Sequence, residues 1–264
     1  MSEHSWRLCL LLLLCWLPSA ARAVDARCDK VVISADPAYP PLHWYDGNTL
    51  QGASIAIATR VLSDLHVPYE VRYVGPLKRV LGLAQSGQVD VVATLKMTPE
   101  RQAFLRYGST PALNNPVAVF VTRQGRFHYT DWQDLIGKRG AVAAGNQFGD
   151  GFDDYLRGRL TVSVVPDLTR LFLLLQYQHA DYAVTGLYPG MAWLAAKGDE
   201  NRYVALHPFV VNTQNYVTFS RASPCATLLP AFDQRLRTLI HAHAFDHIVE
   251  DYMAMWRQHP VLGK

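Results

Sequence analysis

Thr94, Lys96 and Arg101 lie close together in the stretch Asp90–Phe104, DVVATLKMTPERQAF. Side chains of these types, so spaced, could hold an anion. Asp90-Val91-Val92-Ala93 reads as the end of a buried strand, apolar and β-branched. Thr98-Pro99-Glu100 reads as a helix start, with Thr at the N-cap, Pro at the first helical position and an acid in the first turn. Thr94 and Lys96 then fall at a strand exit, where open α/β sheets place ligands. Arg101 is a cation in the first turn of a helix, against the macrodipole. Sequences that break a local rule often do so at a functional site. An Arg beside free helix N–H groups and a Thr hydroxyl makes a pocket suited to a carboxylate held bidentately. The alternative is an Arg101 that points outward and pairs with Glu100 or Asp90.

The elements that must position these residues follow from hydrophobic period and turn residues. Val31–Ala35 reads as a strand ended by Asp36-Pro37. The loop from Asp36 to Gly47 sets three prolines among Tyr39, His43, Trp44 and Tyr45. Aromatics on so rigid a loop can wall a ligand pocket, whereas Leu42 and Trp44 suit plain core packing. Ser54 caps a helix from Ile55 to Leu65, whose Ile55, Ala58, Leu62 and Leu65 recur at helical spacing. A strand at Tyr69–Val74, a helix at Pro76–Gln85 and a strand from Val89 complete β-α-β-α-β, the pattern of a mostly parallel sheet. Gly108–Pro116, GSTPALNNP, has linker composition. A second β-α-β unit follows: strands at Val117–Val121, Lys138–Ala143, Thr161–Val165 and Asp181–Val184, and helices ending near Gly158, over Leu168–Gln178 and over Pro189–Lys197. Val210–Tyr216 reads as a return crossing into the strand Tyr216–Ser220. Helices near Pro224–His241 and Phe245–Trp256 close the chain.

The sequence has 264 residues, 18% charged and 50% hydrophobic, a globular composition. Arg7, the apolar run Leu8–Leu17 and the small-residue site Ala21-Arg22-Ala23 describe a secretory signal over residues 1–23, cleaved after Ala23. That run is about half the length a membrane span needs. Removing it takes Arg7, Arg22 and Glu3 from the 25 basic and 22 acidic residues, leaving a net charge of +2. This balance argues against nucleic acid or an anionic membrane surface as partner. Cys28 and Cys225 remain, in an oxidising compartment, and are expected to form a disulfide; two unpaired cysteines are the alternative. His241, His243, Asp246, His247 and His259 crowd the C-terminus, and His243/His247 have the i,i+4 spacing of metal ligands. Without a Cys or an H-E-x-x-H pattern they read as helix ends near last-turn carbonyls, so neither a metal nor a cofactor is expected.

The motifs and their order together resemble the family 3 periplasmic solute-binding proteins, receptors of polar amino acid ABC importers. The features are Asp36-Pro37-x-Tyr39-x-Pro41, Gly52 before the first helix, Ser86-Gly87-x-x-Asp90, Thr98-Pro99-Glu100-Arg101, Gly137-Lys138-Arg139, Ala180-Asp181-Tyr182-Ala183 and Ile248-x-x-x-Tyr252-x-x-x-Trp256. The resemblance implies an α/β fold of two lobes joined by two crossovers, the type II periplasmic-binding-protein fold. Lobe 1 takes residues 24–113 and 212–264, lobe 2 residues 114–211, and the hinge Leu113–Asn115 and Val211–Asn215. It implies a monomer in the periplasm that hands a small molecule to an ABC permease. In the family, the Arg matching Arg101 grips the ligand's α-carboxylate and the hydroxyl matching Thr94 assists. The aromatic matching Tyr39 lines the ligand, the acid matching Asp36 can meet a basic side chain, and lobe-two turn residues match Asn146 and Gln147. Asn146 and Tyr188 are expected to close over the ligand. Two departures make the cleft more positive. Lys96 stands where a small hydroxyl residue is common, and Val184-Thr185-Gly186-Leu187 lacks the acid that holds an α-ammonium. The ligand is then acidic or free of an α-amino group; the alternative is an ordinary amino acid, with Asp36 replacing the acid. The same framework implies two further readings. One is a cyclohexadienyl dehydratase-like enzyme, with Asp36 and Glu100 as candidate acids; the other is a module that presents ligand to a membrane sensor. Binding without turnover is the expectation.

Overall fold

The computed structural model describes residues 27–261; the expected signal sequence, with Cys9 and Cys15, lies outside them. The first β-branched run forms strand β1 (Val31–Ser34). The proline-rich loop after it contains a small antiparallel sheet of β2 (Ala38–Tyr39), β3 (His43–Tyr45) and β4 (Leu50–Gln51). Helix α1 (Ala53–Asp64), β5 (Tyr69–Val71), α2 (Leu77–Gln85), β6 (Val91–Lys96), the single turn α3 (Pro99–Gln102) and β7 (Leu105–Tyr107) follow. The long strand β8 (Leu113–Thr122) leads into β9 (Arg139–Ala143), α4 (Phe152–Arg159), β10 (Thr161–Val165), α5 (Leu168–Gln176), β11 (Tyr182–Gly186), α6 (Leu187–Lys197) and β12 (Tyr203–Ala205). Strand β13 (Val211–Ser220) returns to the first half, where α7 (Leu229–His241) and α8 (Ile248–Gln258) end the described chain.

Ten strands make one sheet along the path β10-β9-β11-β8-β13-β6-β1-β5, with β12 on β8 and β7 on β13. Each end is a parallel βαβ unit: β1 between β5 and β6, and β9 between β10 and β11. Every antiparallel pair of this sheet involves β8 or β13, the two strands that run between the ends. Apolar cores flank both ends. Ile57, Val61 and Leu62 of α1 pack with Phe232 and Leu236 of α7 on one face of the first, and Val80 and Ala84 of α2 on the other. At the second end, Leu171 and Phe172 of α5 cover one face and Phe148 and Phe152 the other. The halves also meet through α8. Trp256 packs with Trp44 and Ala192, and its indole N–H donates to Ala192 O at 2.8 Å. Leu42 and Trp44 are core residues, as their loop position suggests.

Several boundaries differ from the sequence reading. The residues Leu113–Pro116 of the expected linker are strand, because β13 supplies their ladder: Thr213 lies opposite Asn115 and Asn215 opposite Leu113. The expected crossing and the strand after it are one continuous β13. Ser54 is not the cap of α1. Gly52 holds that position, and Ser54 Oγ instead donates to Leu42 O at 2.8 Å inside the first turn. Strands β2–β4, β7 and β12 have no counterpart in the sequence reading, each being three residues or fewer.

Candidate functional site

Strand β6 runs on through Lys96, so Thr94 and Lys96 lie within the strand rather than beyond its exit. Its extra length comes from pairing with β13, which sets Asn215 opposite Lys96. Thr98 caps α3 as expected, its hydroxyl accepting from Arg101 N, with Pro99 at the first helical position. The guanidinium of Arg101 does not pair with Glu100 or Asp90. Arg101 Nη1 turns back and donates to Lys96 O at 3.1 Å, leaving the cation half-buried and outside any ion pair among the described residues. Asp90 is engaged elsewhere, accepting from Val32 N and the Ser223 hydroxyl. Tyr107 Oη donates to the same Lys96 carbonyl at 3.2 Å, and burial pushes its pKa up to about 12.

Thr94 is 3% exposed and Asn215 5%, and both Thr94 Oγ1 and Asn215 Oδ1 lack a hydrogen-bond partner. A buried polar atom left unsatisfied costs about 1–3 kcal/mol, a deficit that a polar ligand group can repay. The β6–α3 segment and the β13 residue opposite it therefore combine a cation with no carboxylate partner, a second cation and two unsatisfied buried oxygens. That is the chemistry of a carboxylate site.

The facing wall comes from the second half of the sheet. Lys96 Nζ donates to Phe148 O at 2.7 Å, in the turn between β9 and α4. Asp153 fixes that turn by accepting from Phe148 N and Gly149 N, at 3.0 and 2.8 Å. Tyr39 comes from the β2–β3 hairpin; its hydroxyl meets Asn115 Nδ2 at 3.1 Å and Asn115 Oδ1 at 3.3 Å. Burial is the main cause that raises the Tyr39 pKa. The same hydroxyl lies so near Gly186 that a Cβ there would stand 2.9 Å from it, and Pro189 closes in equally. A side chain at Gly186 would require the Tyr39 hydroxyl or the Pro189 ring to move.

The remaining expected residues are spread over both halves. Asn146 and Gln147 are exposed and line a surface depression of about 520 Å³ with Asp153, Asp154 and Arg157; the turn reaches Lys96 through the Phe148–Gly149 backbone instead. Tyr188, in the first turn of α6, has Glu250 of α8 as its charged neighbour, and burial raises its pKa. Asp36 bonds its own turn through Ala38 N, and Glu100 is exposed on α3. Asn215, Tyr107 and Asn115 are site neighbours whose approach nothing local marks in the sequence; the pairing of β13 with β6, β7 and β8 brings them in.

The family model for the bacterial extracellular solute-binding proteins, family 3, matches residues 31–255. The chain belongs to that family. No curated protein matches the sequence. Among solved structures, the family member is similar to the amino acid ABC transporter substrate-binding protein AbpA from Streptococcus pneumoniae bound to L-arginine. That match has 19% identity and a TM-score of 0.62 over 86% of this chain and 95% of that one. It is also similar to an ancestral cationic amino acid solute binding protein (17%, TM-score 0.67, 85% and 96% covered). A histidine kinase sensor domain with similarity to periplasmic binding proteins matches at 20% identity and TM-score 0.64, over 86% and 96%. The fold is thus the α/β, two-lobed type II periplasmic-binding-protein fold, with its antiparallel pairs gathered at the two crossover strands.

Proposed function

We propose that this protein is exported to the periplasm, loses residues 1–23, and as a monomer captures a small carboxylate-bearing ligand for an ABC permease. The ligand sits between lobe 1 (residues 24–113 and 212–264) and lobe 2 (residues 114–211). These move as two bodies about Leu113–Asn115 and Val211–Asn215, the paired segments of β8 and β13. One observation carries the reading: Arg101 is half-buried without a carboxylate partner, on the same β6–α3 segment as the buried, unpartnered hydroxyl of Thr94. Arg101 takes the ligand carboxylate and Thr94 bonds it, while Tyr39 lines the gap. Binding then shifts an open–closed equilibrium toward closed.

Calorimetry on the mature protein tests this with amino acids and simple mono- and dicarboxylates as probes. Arg101→Ala is expected to weaken the best of them about 30-fold or more, since truncating one member of a buried charge pair costs about 2–5 kcal/mol. Unchanged affinity removes Arg101 from the site. A second reading, a module that reports ligand to a membrane sensor, is supported by the likeness to the histidine kinase sensor domain. It shares this site and differs only in the partner.

A further inference from the structure

Two cations, Lys96 and Arg101, rise from the β6–α3 segment, and each donates to a main-chain carbonyl, Arg101 within the segment and Lys96 across to the facing turn. Lys96 Nζ reaches Phe148 O from the first half of the sheet to the second. Both ends of this contact are fixed. The Lys96 carbonyl is held by Arg101 Nη1 and Tyr107 Oη, and the Phe148–Gly149 turn by the two bonds to Asp153. Gly149 has φ 89° and lies against the ammonium, so that a side chain there would meet Lys96 Nζ. The Asp153 carboxylate beside that turn is taken up by the turn's own N–H groups. At Gly186 the wall offers no side chain, and the Tyr39 hydroxyl lies against it.

Building on the reading of the gap as a carboxylate site, we propose that Lys96 is its resident cation. It takes the facing-wall acceptor that a ligand ammonium would need, and so selects carboxylates that lack an amino group. The same bond holds the two halves together when no ligand is bound.

The test compares the mature wild type with Lys96→Met and Lys96→Arg, each confirmed folded by circular dichroism. Small-angle scattering without ligand is expected to give a more extended Lys96→Met than wild type, with ligand compacting the wild type further. Loss of one charge-assisted bond shifts the open–closed ratio about 10- to 100-fold. Lys96→Arg, which keeps the charge, restores compactness. Equal profiles for wild type and Lys96→Met overturn the latch. Calorimetry with matched pairs, succinate against L-aspartate and glutarate against L-glutamate, reads the selectivity. The wild type should prefer the amine-free member, and Lys96→Met should narrow that preference about tenfold. A wild type that prefers the amino acid overturns the selectivity. Failure of all four probes to bind counts against the carboxylate site and its selectivity together, and leaves the latch to be decided by scattering alone.

Discussion

His43, on the hairpin that carries Tyr39, is 4% exposed, and its Nδ1 donates to Asp36 O at 2.7 Å. Burial is the dominant cause and lowers its pKa, while the nearby Asp36 charge and backbone bonds act the other way. A histidine with a lowered folded pKa contributes stability above its unfolded pKa. As pH falls below about 6.5 the unfolded chain takes up a proton that the folded chain refuses. Stability should therefore decline by up to ~1.4 kcal/mol per pH unit from there down to the folded pKa. The carboxylates of Asp46 and Asp181, lowered by backbone and arginine hydrogen bonds, begin to lose their contribution only at more acidic pH. Urea unfolding at pH 7.5, 6 and 5 should show this slope in wild type and a flatter one in His43→Asn; identical slopes would exclude His43 as its source. At this scale the start of α3 was legible, because the Thr98 cap and the first-turn Pro99 need no distant partner. The acceptor of Lys96 was not, being a backbone carbonyl 52 residues away. Asn146 and Gln147 are exposed, and the turn they mark meets the first half through its main chain.

Elements with a local cause are legible to within a residue or two. Helix α5 follows its 3.6-residue period from the expected Asp167 cap, and α2 ends where its apolar stripe does. Elements with a distant cause are not. The prolines and asparagines before Val117 read as linker, yet β13 recruits Leu113–Pro116 as strand from about 100 residues on. The start of α1 belongs to both kinds. Gly52, directly before the helix, has φ 132°, and a Cβ there would lie 2.6 Å from His43 Cα and about as close to Leu42. Backbone, not a flexible side-chain tip, is in the way, so Gly52→Ala should destabilise by about 2–3 kcal/mol. That predicts a melting temperature lower by roughly 4–12 °C. Gly82, inside α2, has no atom within 4 Å of the place a methyl would take, and Gly82→Ala should instead stabilise by about 0.5–1 kcal/mol. Thermal melts of the two variants that moved in the same direction would contradict this account of the α1 start.

For the molecule as a whole, the two α/β units were legible from the alternation of strands and helices, but their union in one sheet was not, since only β8 and β13 create it. Cys28, just before β1, is joined to Cys225, just after β13, over a separation of 197 residues. Both cysteines lie in the half that holds Arg101, so the bridge braces that half and leaves the facing wall untouched. Closing a loop of this length removes unfolded-chain entropy worth roughly 5 kcal/mol by loop-closure arithmetic, with measured bridges more often giving about 2–4. Reduction should therefore lower the melting temperature by roughly 5–15 °C. Thiol titration of the denatured, unreduced mature protein should find no free thiol, and two free thiols would refute the bridge. Because the Lys96–Phe148 contact does not depend on the bridge, gentle reduction below the melting transition should leave the unliganded scattering profile unchanged. Expansion on reduction alone would mean that the bridge also holds the halves together, and would transfer to it the role assigned to Lys96.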